Sequence, residues 1–127
     1  VVPLATVSGG TATFSEFGNT ITAGLPYTVA VEPANLRAGA GQKKRIVSLY
    51  LSFYQTFSCT IGPDAEHQDE VIFSQEMTFG EPPELYTGDL LQSFPGSHEF
   101  EGRIRIEHTG PLPFSLLSMI AEVEAGR

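Results

Sequence analysis

The chain has 127 residues and a formal net charge of −8, with seven lysine and arginine residues, 15 aspartate and glutamate residues and one cysteine. This length supplies one hydrophobic core, and the 41% hydrophobic fraction indicates a folded domain. The acidic balance argues against tight phosphate-backbone binding, which depends on basic contacts, and a lone cysteine excludes an intrachain disulfide.

The first quarter predicts short strands separated by turns. A Gly-Gly pair at residues 9–10 and a Gly-Asn pair at residues 18–19 are turn signals, while residues 20–22 and 27–31 are rich in β-branched and aromatic side chains. We expect a hairpin or meander here. Pro33 and the glycines that follow predict a mobile loop over residues 34–42.

Residues 43–60 form the strongest predicted element. Apolar and polar residues alternate strictly, which is the period of a strand with one buried face. The predicted buried stripe consists of Val47, Leu49, Leu51 and Phe53. We expect this strand at the centre of a sheet, with a bulge or bend near residues 56–58 because of its length.

The second half predicts a Gly-Pro-Asp turn at residues 62–64, a short strand at 71–73, a loop at 80–89 and at most one helical turn over 89–94. A final hairpin is predicted to join a strand ending near His108 to a partner over residues 114–124. Its first strand would bury Phe100, Gly102, Ile104, Ile106 and His108. Its second is apolar on both sides, as expected for a strand covered by two layers or by another subunit.

These patterns predict an all-β domain over residues 1–127, an antiparallel β-sandwich or barrel-like domain with long loops. No apolar run approaches the roughly 18 residues of a membrane-spanning segment, and the first residues lack the features of a signal peptide. We expect Cys59 to be a small apolar filler near a strand end.

The acidic loop is the only candidate metal site, and it is a weak one. Its oxygen ligands for Ca²⁺ or Mg²⁺ would come from Asp64, Glu66, Asp69 and Glu70, with His67 among them. The alternative is a solvated turn, since the spacing of an EF-hand is absent. We expect no metal and no cofactor.

The sequence predicts no enzyme. The Gly-x-Ser-x-Gly turn of a hydrolase is missing, and the adjacent Ser97, His98 and Glu99 would point to alternating faces of a strand. Paired carboxylates of a glycosidase can lie anywhere in a sequence, so that alternative stays open.

Two segments are candidate interfaces. The basic run Lys43, Lys44 and Arg45 could touch nucleic acid, pair with acidic residues of a neighbouring subunit, or keep a strand end solvated. The other candidate interface residues lie on the apolar final strand: Phe114, Leu116 and Ile120.

An ordered series of short motifs runs along nearly the whole chain. It includes Val-Ser-Gly-Gly at 7–10, Gly-Leu-Pro-Tyr-Thr at 24–28, Lys-Lys-Arg-Ile at 43–46, Gly-Pro-Asp at 62–64 and Asp-Glu-Val-Ile at 69–72. It continues with Pro-Pro-Glu-Leu-Tyr-Thr-Gly-Asp at 82–89, Gly-Arg-Ile-Arg-Ile at 102–106, Pro-Leu-Pro at 111–113 and Glu-Val-Glu at 122–124. This series resembles the C-terminal region of tail nozzle and related virion proteins of short-tailed bacteriophages and their prophages.

The resemblance implies a non-enzymatic structural component of a phage tail, made in the cytoplasm of the bacterial host. It implies a fragment from the C-terminal end of a larger protein, whose partners are other tail proteins and further copies in a six-membered ring. DNA would be passing cargo, repelled by acidic residues that face the lumen, and this segment would not insert into a membrane. Residues 34–42 are shorter and less acidic than the corresponding family loop. The alternative function is a carbohydrate- or receptor-binding β-sandwich module of a virion.

Overall fold

A computed structural model describes residues 5–14, 23–35, 41–71, 73 and 84–125. These residues form strands β1 (Val7–Ser8), β2 (Thr11–Ala12), β3 (Tyr27–Val31), β4 (Lys44–Thr56), β5 (Thr60–Gly62), β6 (Asp69–Glu70), β7 (Tyr86–Ser93), β8 (Arg105–Gly110) and β9 (Leu116–Ala125). Within those ranges there is no helix, and hence none that is long and apolar enough to cross a membrane.

The strands form three antiparallel sheets: a β1-β2 hairpin, a four-stranded sheet of order β3-β8-β5-β6 and a three-stranded sheet of order β7-β4-β9. The two larger sheets enclose one hydrophobic core. Both sheets contribute to it, with Leu49, Leu51 and Phe53 from β4 and Ile61 and Ile106 from β5 and β8. The prediction of an all-β fold is confirmed. Its sandwich-like form is observed, and no closed barrel occurs in the described parts of the chain.

Strand β4 lies between β7 and β9 and is the central strand of its sheet, as predicted. Its alternating side chains bury one face. Leu49, Leu51 and Phe53 are at most 1% exposed. Val47 is only half-buried, so the predicted stripe is wrong at that position. The register against β9 shifts between Ile46 and Ser48, which leaves Val47 in a bulge and gives its place in the core to Ile46.

The predicted bend in β4 occurs, but before residues 56–58. The register against β7 shifts between Phe53 and Thr56, and Gln55 has a φ of 43°. The Gln55 backbone N–H donates to the Thr87 hydroxyl at 3.0 Å instead of to the ladder. One extra residue on β4 therefore bends the strand at this point.

The N-terminal hairpin is also confirmed. Val7 pairs with Ala12 and Ser8 with Thr11, so Gly9 and Gly10 form a two-residue turn. Their φ values of 60° and 79° are those of a type I′ turn, which glycine adopts without a steric penalty. Strand β3 matches the predicted strand at residues 27–31. The predicted turn and strand at residues 18–22, and residues 36–40 of the predicted loop, lie outside the described residues.

The predicted loop at residues 80–89 is wrong at its end, because residues 86–89 belong to β7. Residues 89–94, where at most one helical turn was predicted, contain none, since β7 continues to Ser93. The antiparallel partner β4 imposes the strand despite a Gly-Asp pair that usually marks a turn. Near residues 71–73, the strand observed is β6, which ends at Glu70. Val71 is buried and Phe73 is half-buried, both outside strands, and residue 72 lies outside the described parts.

The predicted final hairpin does not form. Strand β8 pairs with β3 and β5, whereas β9 pairs with β4 in the opposite sheet. Pro111 and Pro113 lack the N–H that a ladder needs, so the chain leaves one sheet and crosses to the other over residues 111–115. The predicted burial holds from Gly102 to His108, but Phe100 is 59% exposed.

Candidate functional site

The acidic loop closes on itself through Asp64. One Asp64 carboxylate oxygen lies 2.9 Å from the backbone N of Glu66, 2.8 Å from the backbone N of His67 and 2.9 Å from His67 Nδ1. These hydrogen bonds from His67 favour the charged carboxylate and lower the pKa of Asp64. The loop is therefore a turn stabilised by its own carboxylate.

The remaining weak metal candidates take no part in that turn through their carboxylates. Glu66 is exposed, and Asp69 and Glu70 lie on β6 with both residues exposed. In the parts of the chain that the structure describes, no three histidine, cysteine, aspartate or glutamate side chains converge on a position for a metal ion.

The three residues of the basic run lie in different environments. Lys44 is 2% exposed, and its Nζ donates to the Phe100 carbonyl at 2.7 Å. The backbone of Lys44 exchanges two hydrogen bonds with Glu99, at 2.7 and 2.8 Å. Lys43 Nζ lies 5.8 Å from the centroid of the Phe100 ring. Arg45 is exposed on β4 and lies opposite Glu124 in the register. The ammonium of Lys44 is thus part of this domain's own packing.

The apolar interface candidates are also separated. Phe114 is half-buried and stacks on the His108 ring, with centroids 5.5 Å apart and an interplanar angle of 9°. Leu116 is half-buried and packs against the core. Ile120 is 66% exposed on the opposite face of β9. Of the three, only Ile120 offers most of its side chain to another molecule.

The four-stranded sheet is joined to the crossing segment 111–115 at the Leu112 carbonyl. This oxygen lies 2.6 Å from the Tyr27 hydroxyl, which donates to it, and 2.8 Å from His108 Nε2. The other ring nitrogen of His108 lies 2.7 Å from the Ser58 carbonyl. Carbonyl oxygens only accept, so the ring donates to both only when both nitrogens carry a proton; a singly protonated ring satisfies one of them.

A cavity of about 280 Å³ lies beside this joint. Its wall includes Cys59, where burial raises the pKa of the thiol to about 12. The thiol is therefore neutral near pH 7 and is not poised as a nucleophile. No sequence pattern predicted this cavity, because its lining comes from three separate segments: 58–60, 65–70 and 107–109.

Polar atoms in the cavity wall form a small hydrogen-bonded group. The Thr60 hydroxyl lies 2.5 Å from Gln68 Oε1 and 3.3 Å from the Glu107 carbonyl, and it has one hydrogen for these two acceptors. Gln68 Nε2 is buried without a partner among the described residues. Exchanging the amide O and N of Gln68 lets Nε2 donate to Thr60, whose hydrogen then serves Glu107. The site is a hydrogen-bonded part of the fold.

An exposed apolar row crosses the outer face of the three-stranded sheet. Tyr50 on β4 pairs with Leu91 on β7 and with Ile120 on β9, so the three side chains lie side by side. They are 49%, 53% and 66% exposed, respectively. We call these three residues the outer row. Sequence reasoning identified Ile120 but missed Leu91, which lies in the segment 89–94, where at most one helical turn was predicted.

No family model and no curated protein matches the chain.

Proposed function

We propose that the chain is a structural module of a bacteriophage tail, of the nozzle or hub type, in a protein that guides DNA passage. Within this proposal it has no enzymatic activity, and its partners are other tail proteins and further copies of the full-length protein in a ring. In the assembled virion the protein would lie in the tail.

The observation that carries the proposal is that motifs far apart in sequence meet as structural joints. The Gly-Leu-Pro-Tyr-Thr motif reaches the Pro-Leu-Pro motif through the hydrogen bond from Tyr27 to Leu112. A Cβ added at Gly24 would lie 3.0 Å from Cβ of Pro111, so the same two motifs also touch at Gly24. The Lys-Lys-Arg-Ile motif pairs with the Glu-Val-Glu motif, with Arg45 opposite Glu124 and Ile46 opposite Val123.

These contacts hold strands and crossings together, as a module with a mechanical role requires. Several polar side chains that could have been candidates for a reactive site instead form hydrogen bonds within the fold. Lys44 is bonded to a carbonyl and His108 lies between two carbonyls. The net charge of −8 further supports a module beside DNA that does not grip it, because like charges repel.

The location can be tested with an antibody raised against the isolated domain. In immunoelectron microscopy of purified virions that encode the chain, we expect labelling at the distal end of the tail. Preincubation of the antibody with the isolated domain should abolish the label. Labelling of the capsid alone, or purified virions that lack the protein by mass spectrometry, would contradict the proposal.

A carbohydrate-binding module is the second candidate, favoured by two exposed tyrosines on β4. Tyr50 and Tyr54 are 49% and 51% exposed, and aromatic rings on a sheet face can stack on sugars. Glycan-array binding that is lost in Tyr50→Ala and Tyr54→Ala would support this function. An array without binding would leave the tail module as the better proposal.

A further inference from the structure

The outer row is apolar across all three strands of its sheet, and each side of it carries one carboxylate. On one side, Ser48, two residues before Tyr50 on β4, pairs with Glu122 on β9. On the other side, Ser52 pairs with Asp89 on β7. Both acidic residues are exposed, and Glu122 accepts a hydrogen bond from the Ser48 hydroxyl at 2.9 Å. The two carboxylates therefore stand at opposite corners of the row.

Basic residues are scarce on this face. Among the described residues of β4, β7 and β9 the cations are Lys44, which is buried, and Arg45, which lies opposite Glu124 in the register. The face thus presents an apolar centre with a carboxylate at each of two opposite corners and serines, Ser93 and Ser118, at the other two. Water does not favour such an apolar surface, and burial of large exposed side chains is what drives protein association.

A second copy of the chain fits this face poorly. Each chain carries a net charge of −8, so two copies repel each other. Of the other described cations, Lys43 lies with its Nζ 5.8 Å from the centroid of the Phe100 ring, and two arginines form ion pairs within the domain. Arg103 pairs with Glu101 at 3.0 Å, and Arg105 pairs with Glu107 at 3.3 Å and with Glu32 at 3.4 Å. Outside these ion pairs, the exposed cations among the described residues are Lys43 and Arg45 at the start of β4, whereas Asp89 lies opposite Ser52 farther along that strand.

A sugar also fits the row less well than a protein does. Stacking on a sugar needs the flat face of an aromatic ring, whereas two of the three residues, Leu91 and Ile120, are aliphatic. Branched aliphatic side chains beside a tyrosine resemble the core of a protein interface.

We propose that the outer row docks a different protein, through a surface that is apolar or aromatic at its centre and carries lysine or arginine at its border. The basic side chains meet Asp89 and Glu122, and the apolar centre covers Tyr50, Leu91 and Ile120. This inference concerns the surface itself, so it holds or fails independently of whether the virion proves to be the setting.

The probe is a library of displayed peptides of random sequence. Peptides that bind the purified full chain are selected from it in the absence of any glycan. We expect enriched sequences to combine aromatic or aliphatic residues with lysine or arginine. Binding of a synthetic copy should weaken about tenfold or more in Ile120→Ser and Tyr50→Ser. It should weaken again in the double variant Asp89→Asn/Glu122→Gln and with rising salt concentration.

The matched control is Leu25→Ser, because Leu25 is 89% exposed but lies outside the three-stranded sheet. Its affinity for the peptide should equal that of the parent chain, and urea unfolding should show that every variant stays folded. Four results would each overturn the proposal. They are a selection without enriched sequences, enrichment of acidic sequences, unchanged affinity in Ile120→Ser, and self-association of the parent chain in sedimentation that Ile120→Ser abolishes. Glycan binding lost in the same variant would likewise assign the row to a sugar.

Discussion

The carbonyl oxygen of Leu112 lies 2.8 Å from Nε2 of His108, and this contact is made where the chain leaves one sheet for the other. The same oxygen accepts the Tyr27 hydroxyl at 2.6 Å. One carbonyl therefore joins β3, the end of β8 and the crossing segment that leads to β9. The Tyr27 and His108 rings are also in contact, with centroids 5.3 Å apart.

We expect Tyr27→Phe to lower the free energy of unfolding by about 0.5 to 1.5 kcal/mol, the usual net value of one hydrogen bond. The ring and its contact with His108 remain, so only the hydroxyl is tested. Tyr50→Phe is the control, since no hydrogen bond of the Tyr50 hydroxyl occurs in the described residues; its change should stay within about 0.5 kcal/mol. Equal losses in the two variants, measured by urea unfolding, would remove the Leu112 joint from the stability argument.

The sequence predicted elements with a strong local period and failed where pairing decided the structure. The alternation of β4 and the Gly-Gly turn are local signals, and both are confirmed except at Val47, where a bulge interrupts the alternation. The partner of β9 is not encoded in its own pattern, because an apolar strand can be covered by a hairpin neighbour, another layer or another subunit. The two prolines of the crossing segment were the signal against a hairpin.

The candidate site was harder to predict than the fold. The basic run reads as one feature, yet Lys44 is buried and Arg45 is exposed, since consecutive residues of a strand point to opposite faces. Leu91 joins Tyr50 and Ile120 only through the register of three strands that are distant in sequence. Such a surface becomes visible only once the strand order is known.

Leu51→Ala should destabilise the domain by about 2 to 5 kcal/mol, because it removes a fully buried side chain and leaves a cavity. Leu51 is 0% exposed and pairs with Leu90 on β7. Leu91→Ala is the matched control, because Leu91 follows Leu90 on β7 but is 53% exposed. This substitution should cost less than about 1 kcal/mol. A loss below about 1 kcal/mol for Leu51→Ala in chemical denaturation would show that this face of β4 is not the core.

The buried thiol of Cys59 should make stability fall at alkaline pH. Its pKa in the folded chain is about 12, against an ordinary value of 9.0, so below pH 9 both states hold the proton and pH has no effect through this group. Between pH 9 and 12 the unfolded chain loses the proton and the folded chain keeps it, which favours unfolding. The free energy of unfolding of the parent chain, measured in urea, should therefore decline with pH more steeply than that of Cys59→Ala across this range. Parallel declines would place the thiol in contact with solvent.

The native thiol should also react slowly with a disulfide reagent at pH 8 and react fully in urea, since the thiolate is the nucleophile. Rapid modification of the folded chain would contradict the burial of Cys59.

Charge changes at Lys44 should act on stability. Lys44→Glu places a carboxylate beside the Phe100 carbonyl in a buried site, and we expect a loss of about 3 kcal/mol or more. Lys44→Met keeps the length of the side chain without its charge and should cost about 1 kcal/mol or less, because burying an ammonium is itself unfavourable. Similar losses for the two variants in urea unfolding would indicate that the ammonium is hydrated.

Assembly should depend on the exposed members of the basic run. If the full-length protein forms a closed ring, its contacts are heterologous, and a basic patch on one copy meets acidic groups on the next. Arg45→Glu and Lys43→Glu together should weaken that ring, while each costs the isolated domain at most about 1 kcal/mol, the scale of exposed charge pairs. Lys44 is left unchanged in this variant, because its reversal would confuse unfolding with loss of assembly. Sedimentation of the full-length parent and variant decides the matter. A parent that stays monomeric at high concentration, or a variant that assembles like the parent, would show that the basic run does not hold the subunits together.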